Sequence, residues 1–220
     1  MSFHADDFAN LLAVALNDGD GLVAFVRAYI DESGTHDGSP VTTVAVILSK
    51  PTRWINWTSA WNVAKSPINV FHATDCANLK GEFDGWEKSD QIKYVSNLLP
   101  VIGRFAFAGH VVGIDNRDVK RLRGEFAKVN EHIRLPYLTC LQLALHRTLD
   151  YLNETGESHR VAFVHEDNGY KGEAMACFDW MKTLPAYKGF EMTLTFAGKK
   201  DAGALAFQLS DPVHATTMCR

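Results

Sequence analysis

Three short acidic stretches carry the chemistry this 220-residue chain most readily suggests: Asp31-Glu32, Glu166-Asp167, and Asp211 in Gln208-Leu209-Ser210-Asp211. The first two stand where apolar runs end, and the third where a late helical pattern ends. Carboxylates at the ends of neighbouring strands converge on one edge of a sheet, where they repel one another unless a hard divalent cation sits between them. Two Mg²⁺ or Mn²⁺ ions held by a shared Asp can align an attacking water and stabilise the leaving oxygen of a phosphodiester. Such a site needs oxygen ligands, and oxygen ligands are what the chain offers. Taken singly, an Asp or Glu at a strand end is an ordinary solvated turn residue, so the combination carries the reading. Within the second stretch, strand alternation sends His165 and Asp167 to one face and Glu166 to the other, which favours Glu166 as the ligand.

Other groups fit less specific roles. His72 and Asp75 lie in Phe71-His72-Ala73-Thr74-Asp75, expected as a loop between helices. There His72 can orient a water or a scissile phosphate and Asp75 can fix its tautomer, although an isolated His is more often structural. Lys199 and Lys200 precede the last helical pattern and can neutralise phosphate charge, or be plain exposed lysines. Asp118 to Lys128 holds the one basic cluster, Lys120, Arg121, Arg123 and Lys128, which reads first as a solvated helix face and second as a phosphate-contacting patch. Cys76, Cys140, Cys177 and Cys219 are far apart, with neither CxxC nor a close CxxH, so no zinc ribbon or redox pair is written and a reducing cytosol is expected. No GxSxG, P-loop or GxGxxG motif is present.

The elements that must position these groups follow from periodicity. Leu22 to Ile30 is dense in apolar residues and predicts a buried strand that gives way to a polar loop at Asp31-Glu32-Ser33-Gly34. Val41 to Ser49, bounded by Pro40 and Pro51, predicts its hairpin partner. Trp54, Trp57 and Trp61 fall on one helix face, expected as a core stripe rather than a stacking platform. Ile92, Val95, Leu98 and Leu99 predict a second helix, opened by Ser89 and closed near Pro100 and Gly103. Arg104 to Ile114 alternates as a strand. Leu138, Leu141, Leu145, Leu149 and Leu152 predict a long helix from Pro136. Arg160 to Val164 reads as a strand, Glu173 to Leu184 as a helix, Phe190 to Ala197 as a strand and Ala202 to Leu209 as a helix. Before all of these stand a short helix, Phe8 to Leu16, and a turn through Asn17-Asp18-Gly19-Asp20-Gly21 that lacks the further ligands of a calcium loop. The whole is an α/β or α+β sheet with helices on its faces.

Tyr29-Ile30-Asp31-Glu32-Ser33-Gly34, Phe71 to Asp75, Val161 to Asp167 and Phe207 to Asp211 together resemble the uncharacterised DUF3800 family, from about Ala28 to the C-terminus. The resemblance implies a ribonuclease H-like fold, a mixed five-stranded sheet flanked by helices, with a helical insertion between its second and third strands. It also implies that Asp31, Glu166 and Asp211 bind the catalytic metals, with Glu32 and Asp167 beside them. At the C-terminus the chain departs from the family pattern: Ser210 precedes the last Asp and Pro212 follows it. Asp211 therefore also suits the N-cap of a helix that Pro212 would begin.

Composition bounds what such a site can act on. With 46% hydrophobic and 22% charged residues and no linker-like tract, residues 1–220 are expected to form one domain, with 1–26 as an N-terminal extension. Leu11 to Leu16, the longest early apolar run, falls far short of the roughly 20 residues that span a bilayer, so neither signal peptide nor membrane anchor is expected. The net charge of −4 gives no overall field for nucleic acid. RNA, DNA or hybrid would thus be held through a local patch, with Lys120 to Lys128 the segment to supply it. The expectation is a metal-dependent phosphodiester hydrolase. Its alternatives are a non-catalytic interaction module of the same fold and a phosphoesterase for small nucleotides, in which His72, His165 and His214 could add ligands. The sequence leaves oligomeric state open.

Overall fold

The computed structural model describes residues 26–36, 38–125 and 136–198. The expected helices at Phe8–Leu16 and Ala202–Leu209, the Asn17–Gly21 turn, and Lys128, Lys199, Lys200, Asp211 and His214 lie outside them. Among the described residues five strands form one sheet in the order β3-β2-β1-β4-β5. They are β1 (Val26–Ser33), β2 (Val41–Ser49), β3 (Ala108–Asp115), β4 (Arg160–Glu166) and β5 (Glu191–Ala197). β1 to β3 make an antiparallel meander, and β4 and β5 continue the sheet in parallel with β1. β1 is therefore central, paired on both edges, which suits its run of buried Val26, Ala28, Tyr29 and Ile30.

β1 does not stop where the apolar run stops. Antiparallel pairing carries it through Asp31↔Ala45, Glu32↔Val44 and Ser33↔Thr43, so the acidic pair is strand rather than loop. The ladder with β2 overrides the local turn composition, because it satisfies backbone groups that would otherwise be buried without partners. On the other edge, β1 and β4 are last paired at Ile30↔His165. One step further along each strand come Asp31 and Glu166.

Each face of the sheet carries its own core. On one face, Val26, Ala28, Ile30, Val44, Val46, Leu48, Val161 and Phe163 meet the helices Pro136–Thr155 and Lys171–Thr183. The leucine stripe is seated as expected, with Leu141, Leu145, Leu149 and Leu152 buried. On the other face, Tyr29 and Ile47 meet the insertion between β2 and β3: α1 (Pro51–Ala64), α2 (Ala73–Asn78), a 3₁₀ turn at Gly81–Phe83 and α3 (Lys88–Phe105). The next helices in chain order are α4 (Asn116–Glu125), α5 (Pro136–Thr155) and α6 (Lys171–Thr183). Trp54, Trp57 and Trp61 are all buried, and Trp54 stands edge-on to Tyr29 at 4.8 Å, so the indole stripe is core.

α3 departs from expectation at both ends. It starts after Glu87, not Ser89, through a reciprocal capping box between Glu87 and Asp90. It then runs through Pro100 to Phe105, which leaves only Ala108–Asp115 for the strand expected from Arg104. Its buried face is Gln91, Tyr94, Leu98 and Ile102, whereas Ile92 is exposed. Pro100 deprives the Ser96 carbonyl of its intrahelical partner. Ser96 and Pro100 are both exposed, so water can take that place while Leu98 and Ile102 hold the helix to the sheet.

Candidate metal centre

Asp31, Glu32 and Glu166 each bring one carboxylate oxygen to within 4.8 Å of the others at the ends of β1 and β4. The strand pleat alone would put Asp31 and Glu32 on opposite faces. The two carboxylates nonetheless come together at the strand end. Asp31 is fully buried and the two glutamates are half-buried.

Behind the trio runs a set of fixed polar contacts. The Asn168 amide donates from Nδ2 to Glu32 Oε1 at 2.5 Å, and its Oδ1 accepts the Tyr170 backbone N–H at 2.9 Å. Tyr170 Oη donates to the Thr35 carbonyl at 3.3 Å, tying the loop after β4 to the hairpin after β1. The Tyr170 ring stacks on Tyr137 at 4.6 Å. His165, fully buried, lies 2.6 Å from the Glu166 carbonyl through Nδ1 and 2.7 Å from Tyr137 Oη through Nε2. A carbonyl only accepts, so Nδ1 carries the proton and Tyr137 Oη donates to Nε2. Burial pushes the His165 imidazole below its ordinary value, against the opposing pull of the Glu166 carbonyl and the Asp167 charge, which agrees with this neutral tautomer. Burial, reinforced by the Glu32 charge, holds the Tyr137 phenol far above its ordinary range, and so protonated as the donor.

The donor set suits a hard cation. All three donors are carboxylate oxygens, and their spread matches what metal–oxygen bonds of about 2.0–2.6 Å can draw together. Three negative charges this close, one of them fully buried, repel unless a cation or a proton sits among them.

The remaining expected residues lie elsewhere. Asp167 is exposed and pairs with Lys171 at 3.7 Å, outside the trio. His72 immediately precedes α2, its carbonyl accepting the Cys76 N–H at 2.9 Å, and the structure does not bring it or Asp75 into the trio. Asp211 lies outside the described residues. In the basic segment, α4 begins with charges already matched: Arg117 grips Asp115 at 2.6 Å and Arg121 meets Asp118 at 3.4 Å. Asn168, Tyr137 and Tyr170 are absent from the sequence reading. Asn168 had a faint signal, an Asn-Gly turn two residues after Glu166, while nothing in spacing links Tyr137 to His165.

No family model matches the chain, and no curated protein matches it. Among solved structures, Bst ribonuclease HIII in complex with Mn²⁺ aligns with 90% of this chain at 13% identity and a TM-score of 0.50. A point mutant of the same Bst enzyme aligns with 89% at 11% identity and 0.49. The PCNA:ribonuclease HII complex from Archaeoglobus fulgidus aligns with 88% at 9% identity and 0.40, and the match covers 76% of that chain. The chain spans about half the length of the ribonuclease HIII chains, 52% and 53%. At these identities the likeness shows the fold: the sheet is ribonuclease H-like. No helix among the described residues is long and apolar enough to cross a membrane.

Proposed function

We propose that the protein is a divalent-metal-dependent hydrolase of phosphodiester bonds in RNA, DNA or their hybrid, and that it belongs with the DUF3800 family its YIDESG segment resembles. The observation that carries this reading is the convergence of Asp31, Glu32 and Glu166, oxygens within 4.8 Å, at the ends of two adjacent strands of a ribonuclease H-like sheet. Asp31, Glu32 and Glu166 would hold Mg²⁺ or Mn²⁺, with Asp211 as a further ligand. When bound, the metal supplies Lewis acidity to the phosphate and lowers the pKa of a water. The chain's own residues do the positioning. Asp31 is fully buried, which strengthens its hold on a cation, and the β1–β4 pairing, last made at Ile30↔His165, sets its distance from Glu166. His165, locked neutral by Tyr137 and the Glu166 carbonyl, anchors the peptide from which Glu166 projects.

The test is cleavage of labelled single-stranded, double-stranded and hybrid substrates with Mg²⁺, Mn²⁺ or EDTA, comparing wild type with Asp31→Asn. Cleavage that needs metal and drops at least about 100-fold in the variant is expected, since loss of a ligand should cost at least as much as loss of an outer-shell partner. Cleavage that survives EDTA or Asp31→Asn would sink the proposal. Activity on mononucleotides alone would move the assignment to a small-nucleotide phosphoesterase.

A further inference from the structure

We infer that Asn168 is a positioning residue that sets Glu32 for metal binding; this rests on the metal reading of the acidic trio. The two ends of its amide are told apart by their partners. The Tyr170 backbone N–H can only donate, so the atom 2.9 Å from it is the amide oxygen, and the NH₂ group must face Glu32 Oε1, 2.5 Å away. An amide N–H given to an ionised carboxylate is a charge-assisted hydrogen bond, stronger than one between neutral groups. It fixes one oxygen of the Glu32 carboxylate at the end of β1.

The loop that bears Asn168 is held at Tyr170 from two sides. Tyr170 Oη reaches the Thr35 carbonyl across the β1–β2 hairpin. The Tyr170 ring stacks on Tyr137, and Tyr137 bonds His165, whose other nitrogen holds the Glu166 carbonyl. A continuous path of contacts thus runs from Glu32 through Asn168, Tyr170, Tyr137 and His165 to Glu166. It links the Glu32 carboxylate on β1 to the backbone of Glu166 on β4 without passing through the site itself. Outer-shell donors of this kind typically contribute 10–100-fold to metal affinity.

Mn²⁺ binding to the full chain, followed by calorimetry and by the EPR signal of free Mn²⁺, tests this independently of activity. Asn168→Ser is the sharper variant, since its hydroxyl oxygen can still accept the Tyr170 N–H while the shorter, uncharged side chain no longer reaches Glu32. Asn168→Ala removes both contacts. Both should weaken Mn²⁺ binding about 10–100-fold, with the metal-free melting temperature of Asn168→Ser within about 5 °C of wild type. In a Glu32→Gln background the same substitutions should have little further effect, because Asn168 acts through Glu32.

Three results overturn the inference. They are Asn168→Ser binding Mn²⁺ as tightly as wild type or tighter, an undiminished Asn168 effect in the Glu32→Gln background, and a larger metal-free melting loss that makes the residue a structural one. Wild type that binds no Mn²⁺ at all instead removes the metal reading, and this inference with it.

Discussion

Asp31 is a carboxylate with no exposure to solvent, crowded by two more within 4.8 Å, and a fold selected for stability alone would not place it there. The expected signature is a crossover. In EDTA, Asp31→Asn should raise the melting temperature, by the equivalent of about 1 kcal/mol, because a buried charge leaves a like-charged cluster; in saturating Mn²⁺ the wild type should overtake it. Calorimetry of both proteins with and without metal decides this, and a variant less stable in EDTA would contradict it. A second residue-scale effect concerns His110 on β3, which stands edge-on to Tyr151 at 5.5 Å. Burial, and then the Arg147 charge, lower its pKa from the ordinary 6.5. The folded protein therefore takes up this proton less readily than the unfolded chain. The stability His110 contributes is present above about pH 6.5 and drains away as the pH falls toward its lowered folded value. Melting temperature against pH between 7 and 5 should accordingly flatten in His110→Gln.

At the scale of elements, α3 and α1 show where local pattern succeeds and where it yields. The indole stripe of α1 was legible because Trp54, Trp57 and Trp61 are large, apolar and helically spaced, so a single reading satisfies period and burial together. Trp61→Ala should cost about 3–5 kcal/mol in urea unfolding, the range for emptying an aromatic core position. Pro100 was misleading because its local preference is real and is overridden by Leu98 and Ile102 on the buried face. Replacing it restores an N–H for the Ser96 carbonyl, so Pro100→Ala should stabilise the protein by about 1–2 kcal/mol, less than the full propensity gap because the proline also stiffens the unfolded chain. An unchanged or lower urea midpoint would show that the helix needs its break. β1 teaches the converse: Asp31-Glu32-Ser33-Gly34 has the composition of a loop, and only the ladder with β2 makes its first three residues strand. Local spacing could place Asp31 and Glu166 at strand ends. It could not show that Glu32 joins them or that Asn168 holds Glu32, since that contact spans 136 positions of sequence.

Over the whole molecule, one sheet separates two apolar cores among the described residues, and the carboxylates stand at the ends of its adjacent strands β1 and β4. Metal binding should therefore be felt globally. At a Mn²⁺ concentration of about 100 times its dissociation constant the wild type should gain roughly 2.7 kcal/mol against unfolding, and Asp31→Asn close to nothing. A melting curve that ignores Mn²⁺ would contradict this. The two edges of β1 differ in one more respect. Its antiparallel edge joins β2, a neighbour in sequence, whereas its parallel edge joins β4, with Ile30 beside His165 and more than half the chain between them. The hairpin can form early from nearby residues, but the parallel edge must wait for a long loop to close. Glu166 is delivered only by that late pairing, so a chain that has folded its meander and nothing else holds Asp31 and Glu32 without their partner. The assembled trio is thus a certificate of completed folding, and any metal affinity that needs all three carboxylates should appear only with that last pairing.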